Sequence, residues 1–160
     1  MKLSVTILKY SFLLLLAHLA LSWVFQFSDW NVPQTMPYTP IKINGLLITA
    51  FTLLILRFSL KEIINAFPEF KILKLTLLGL LICSIATIVF QIILSFTNEV
   101  DKLYYFLRGV AVNVIFGGVF AFFVAFQLKT KRTNQLIMFI VGFMIAFRIV
   151  LYFFPVVAKN

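Results

Sequence analysis

Four polar side chains stand inside long apolar runs of this chain: His18, Gln91, Asn113 and Arg148. A guanidinium, an imidazole and two carboxamides form a donor-rich set. Brought together, they would hold a phosphate or carboxylate, presented by a lipid headgroup, a small anion or an acidic side chain of a partner. Arg148 is the most demanding of them, because a cation at the centre of a membrane helix costs roughly 2.5–3.5 kcal/mol on the insertion scale. The surrounding segment, about 136–155, carries thirteen Ile, Leu, Val and Phe residues and can still insert. Arg148 also lies seven residues before Pro155, about 10 Å by helical rise, close enough to snorkel toward the surface. Each of the four therefore has a packing role beside its ligand role: His18 as a hydrogen-bonded core residue, Gln91 and Asn113 as bonds between helices.

Other chemistries lack their parts. The five carboxylates, Asp29, Glu62, Glu69, Glu99 and Asp101, all fall between the apolar runs, so no run carries the acidic relay of a proton- or sodium-driven pump. One histidine and one cysteine, Cys83, make neither a disulfide nor the usual His/Cys metal cluster. HExxH, P-loop and GxGxxG patterns are missing, and Gly117-Gly118 lies within an apolar run rather than a phosphate loop, so neither a metal nor a cofactor is expected. A Ser/His/Asp triad would have to join His18 to Asp29 and to Ser22 or Ser95 without any nucleophile motif. These absences point away from an enzyme, with no catalytic residue to name. No run of residues is specific enough to identify a family.

The elements that must position these groups follow from composition. Of 160 residues, 62% are hydrophobic and 12% charged, and mean hydropathy is +1.07. A soluble domain carries about 25% charged residues, and this chain has more apolar surface than a globule of its size can hide. The remaining solvent is lipid. Five apolar stretches are long enough for a hydrocarbon core of about 30 Å, at about Tyr10–Phe27, Ile43–Leu60, Ile72–Phe96, Leu107–Leu128 and Leu136–Pro155. No stretch alternates polar and apolar residues, and an open strand in lipid leaves backbone groups unpaired, so helices are expected. The expected fold is an all-α polytopic transmembrane bundle of five spans in one integral membrane domain, residues 1–160. Met1–Ser22 also has the outline of a signal peptide, and its cleavage would leave four spans; the apolar run continues through Trp23, Val24 and Phe25, which suits a retained anchor.

The connections are short. Ser28–Lys42 holds Pro33, Pro37 and Pro40 with Trp30 and Tyr38 and reads as an interfacial loop. Lys61–Lys71 sets Ile63, Ile64, Phe67 and Phe70 near one helical face around Pro68, either a segment lying on the membrane surface or a plain polar loop. Lys and Arg number nine on one side (Lys2, Lys9, Arg57, Lys61, Lys71, Lys74, Lys129, Lys131, Arg132) and four on the other (Lys42, Lys102, Arg108, Lys159). The positive-inside rule then puts the N-terminus in the cytoplasm and the C-terminus outside. The formal net charge of +9 is spread along these flanks without a basic, aromatic-interleaved cluster, so nucleic acid is not an expected partner.

Small and polar residues recur at helical spacing. The fourth stretch carries Gly109, Asn113, Gly117, Ala121 and Ala125, and the third carries Gly79, Cys83, Thr87, Gln91 and Ser95. The first has His18, Ser22 and Gln26, and the second Gly45, Thr49, Thr52 and Ser59. Lipid gives helices no hydrophobic reason to associate, so such faces are where close packing and interhelical hydrogen bonds form. The expected partners are the bilayer and either another membrane protein or a second copy of this chain, and the expected role is an accessory or assembly subunit. The rival is a carrier or binder of a small anionic or lipid-linked ligand at Arg148, His18, Gln91 and Asn113.

Overall fold

The structure, a computed structural model, describes residues 3–27, 40–97 and 102–131. These residues form four helices and no strand: α1 (Leu3–Phe27), α2 (Pro40–Ala66), α3 (Ile72–Thr97) and α4 (Lys102–Thr130). Hydrophobicity is spread almost evenly around each helix, as it must be where one face meets protein and the other meets lipid. Three helices are long and apolar enough to cross a membrane, over Leu3–Val24, Ile72–Leu94 and Gly109–Thr130. An integral membrane protein is consistent with this. Five spans are not reached among the described residues. In α2 the stretch from Leu47 to Ile64 takes in Arg57, Lys61 and Glu62, and the expected fifth stretch, 136–155, lies outside the described residues.

Large apolar side chains point outward at helical spacing: Val5, Leu8, Phe12 and Leu16 on α1, Phe51, Leu54 and Phe58 on α2, and Leu73, Leu77 and Leu81 on α3. In water so much exposed Leu and Phe would demand a partner, whereas in a bilayer it is the solvated surface. Inside, α1 packs on α2 and α3, α4 packs on α2, and the most extensive contact joins α3 to α4. The core is concentrated toward the end of the bundle where α2 turns into α3: Leu56, Leu60, Ile63, Phe70, Leu75, Ala121, Val124 and Ala125 lie in it, with Leu14 of α1.

The helices run past the apolar stretches that the sequence marks. Lys61–Lys71 is not a membrane-surface segment or a plain loop through its length. α2 continues to Ala66, and only 67–71 is irregular. Ile63 is fully buried and Phe70 nearly so, both in the core. The reason is the position of Pro68. A proline cannot donate inside a helix, but nothing stops the turns before it, and Phe67 still donates its N–H to the Ile63 carbonyl at 2.8 Å. Phe70 N–H then bonds the Phe67 carbonyl at 3.2 Å, and Leu75 N–H bonds that of Lys71 at 3.1 Å as α3 begins. Pro40 opens α2 in the first turn, where its missing N–H costs nothing; the rest of the expected proline loop, 28–39, lies outside the described residues. α4 ends at Thr130, and Lys131 adopts a left-handed φ of 54° while its N–H closes on the Gln127 carbonyl at 3.0 Å.

Candidate functional site

The residues that could form a site fall into two seams on neighbouring faces of α3. The first joins α3 to α4. A Cβ built on Gly79 would lie 2.6 Å from Cβ of Ala121, and one on Gly117 would lie 2.6 Å from Cβ of Cys83. A Cβ on Gly109 would meet the Gln91 carboxamide at 2.5 Å. The pairs 79 with 121, 83 with 117 and 91 with 109 keep one register, each step of four forward on α3 matched by a step of four back on α4. The two helices are therefore antiparallel and interlocked along two small-residue faces. Gly118, one residue from Gly117, has only Leu80 Cδ1 near it, at 3.4 Å, and lies off this line. Ala121 and Ala125 are fully buried, and Thr87 and Cys83 nearly so.

Two of the sequence-derived ligand residues are in this seam. Gln91 packs its carboxamide over Gly109, in the space a Cβ there would take. Asn113 donates from Nδ2 to the Gly109 carbonyl of its own helix at 2.8 Å. That bond spends an amide donor locally, as Ser and Thr hydroxyls do elsewhere in the bundle: Ser59 to Leu56, Thr76 to Ile72 and Thr130 to Phe126.

His18 is in the second seam, between α1, α2 and α3. It is buried, its Nε2 is 3.4 Å from Thr52 Oγ1, and its ring meets Phe90 edge-on with centroids 5.5 Å apart. Thr52 already donates its hydroxyl hydrogen to the Ile48 carbonyl at 2.7 Å. Its oxygen can then only accept, which assigns the proton to His18 Nε2. At 3.4 Å the bond is long and weak. Lower on α1, Ser11 Oγ donates to the Ile82 carbonyl at 3.3 Å, tying α1 to α3. Thr6 is buried as well, and its hydroxyl oxygen has no hydrogen-bond partner.

The α1–α2 contact closes in a polar link that sequence reading did not find. Glu62 Oε2 accepts from Lys9 Nζ at 2.8 Å and from Tyr10 Oη at 2.6 Å. These two hydrogen bonds, the lysine's first, hold the Glu62 carboxyl below its ordinary range. Glu62 was expected in a loop, and a loop gives no reason to search for a partner some fifty residues away. The available signal was a carboxylate one turn from the end of an extended α2, with Lys9 and Tyr10 near the start of α1.

The structure thus places His18 with Thr52 and Phe90, and Gln91 and Asn113 with Gly109. Arg148 lies outside the described residues. Among the described residues no group of three His, Cys, Asp or Glu side chains could hold a metal ion. What these seams can do chemically is hold helices together. No protein-family model matches the chain, and neither a curated protein nor a solved structure is similar to it.

Proposed function

We infer that this chain is a small multi-pass membrane protein that works through helix contacts in the bilayer, as an accessory or assembly subunit, rather than by turnover or transport. The carrying observation is the α3–α4 seam. A Cβ added at Gly79 or Gly117 would lie 2.6 Å from a Cβ of the facing helix, so at those levels the interface is close-packed rather than open to a ligand. On the reverse of the same helices, Leu73, Leu77, Leu81, Ile115 and Phe122 face outward and can meet lipid or another membrane helix. The rival ligand reading has no comparable support, since His18 contacts Thr52 and Phe90 while Gln91 and Asn113 gather at Gly109.

The proposed topology has five spans, adding Ile43–Leu60 of α2 and Leu136–Pro155 to the three apolar helices, with the N-terminus cytoplasmic and the C-terminus outside. Support comes from the charge alternation along the sequence. It also comes from α1, whose Leu14, Ser11 and His18 are buried against the other helices, a position that suits a retained span better than a cleaved signal. A reporter fused after Asn160 that is active only outside the cytoplasm fits this topology, and one active only inside overturns it.

The role itself is tested by placing a photo-crosslinking amino acid at Leu54, Leu73, Leu81, Ile115 or Phe122 in membranes. A subunit gives one discrete protein adduct from one helix face, abolished by a tryptophan substitution on that face, while the other positions label lipid alone. Labelling of lipid alone from every position overturns it.

A further inference from the structure

The α3–α4 register has a consequence at the end of the seam. Continuing from 79 with 121 and 83 with 117, the next pairs are 75 with 125 and 71 with 129. The first falls in the buried core as Leu75 and Ala125. The second, one residue before α3 begins, would bring two lysines, Lys71 and Lys129, to the same level at the end of the seam. Like charges so placed repel, and two further lysines flank them: Lys74, one turn along α3, and Lys131, just past the end of α4. Among the described residues none of these four is in an ion pair; Lys9 takes Glu62, and Glu69 is the only other carboxylate described near this end.

The neighbouring groups the lysines do touch are weak counterparts to a charge. Lys129 Nζ donates to the Pro68 carbonyl at 2.6 Å, and Lys74 Nζ stands 3.7 Å over the Phe70 ring. Phe70 in turn stacks on Phe67, with centroids 5.0 Å apart. Cations at the ends of apolar helices suit the depth of the headgroup layer.

We propose that Lys71, Lys74, Lys129 and Lys131, gathered where the α3–α4 seam opens onto the membrane surface, form a binding site for the phosphate of an anionic phospholipid. The phosphate neutralises Lys71 and Lys129 and so joins the ends of α3 and α4 at the mouth of the seam. This rests on the bilayer part of the reading above, though not on the subunit role or the topology. Zwitterionic lipid carries its own cation beside the phosphate and is the weaker ligand.

The test uses the full chain purified in a neutral detergent and exposed to equal amounts of phosphatidylglycerol and phosphatidylcholine of the same acyl chains, with retained lipid counted by native mass spectrometry. Phosphatidylglycerol is expected to be retained selectively, with affinity falling about fivefold for each Lys→Gln substitution at the four positions. Replacing all four by Arg keeps the binding and shows that a failed Gln variant lost charge rather than fold. The Arg57→Gln, Lys61→Gln double variant removes two exposed cations from α2 at the same end and leaves retention unchanged. Equal retention of the two lipids, or equal loss in the α2 variant, overturns the site in favour of diffuse charge. Complete competition by inorganic phosphate overturns its assignment to lipid. Extraction of the chain from membranes by alkaline carbonate refutes the bilayer reading itself, whereas firm insertion without lipid preference refutes this site alone.

Discussion

The two sides of α3 are held by different physics. Toward α4 the contact is made by what is missing: Gly79, Gly117 and Gly109 lack a Cβ, and Ala121, Cys83 and Gln91 occupy the vacated space. Toward α1 the contact is made by polar groups, with Ser11 on the Ile82 carbonyl and His18 against Phe90, while α1 reaches α2 through His18 to Thr52 and through Lys9 and Tyr10 to Glu62. Both solve one problem, since lipid tails are as apolar as leucine and give helices no reason to leave them. The difference teaches that backbone proximity adds dispersion over a whole face and tolerates no added atom, whereas point hydrogen bonds can be lost singly.

The largest contrast is expected within the glycine pair. Gly117→Ala puts a methyl 2.6 Å from Cys83 Cβ and must push the helices apart, a loss of about 1–3 kcal/mol visible as a lower thermal midpoint in detergent. An unchanged midpoint breaks the account of the seam. Gly118→Ala meets only Leu80 Cδ1 at 3.4 Å and should raise stability by up to about 1 kcal/mol through helix propensity; a loss as large as that at Gly117 would erase the distinction between the two faces.

On the polar side, Ser11→Ala should cost about 0.6 kcal/mol, the average for a hydrogen bond between membrane helices. A cost equal to that of Gly117→Ala, read from the same melting curves, would make the two sides alike. The smallest effect is expected at Glu62, whose link to Lys9 is solvent-exposed. Because folding lowers its pKa from the ordinary value of 4.5, its contribution is present above that pH and is lost as pH falls through the lower folded value. Midpoints of the native chain and of Glu62→Gln should differ slightly at neutral pH and converge as pH falls from 4.5 through the lower folded value. Midpoints that stay parallel to lower pH would show that the carboxylate contributes nothing.

Much of the first side was legible in sequence and little of the second. Gly109, Asn113, Gly117, Ala121 and Ala125 recur every fourth residue, as do Gly79, Cys83, Thr87 and Gln91, and a helix of 3.6 residues per turn sets such positions on one face whatever lies around it. On α1 the buried line is Thr6, Tyr10, Leu14 and His18, with a leucine and a tyrosine among the polar groups, so that no uniform residue type marks it. Pro68 signalled a break between helices, but how far α2 runs before it depends on Ile63 finding a core.

The amino-acid order alone determined that the described chain is helical, that long runs of it suit lipid rather than water, and which positions are small enough for close approach. These are local properties, set by side-chain chemistry and helical period. Which small face meets which, in what register, and that Lys129 reaches the Pro68 carbonyl were decided only by the tertiary structure. In an apolar solvent the inner and outer faces of a helix are equally hydrophobic, so pairing depends on shape matched between segments distant in sequence.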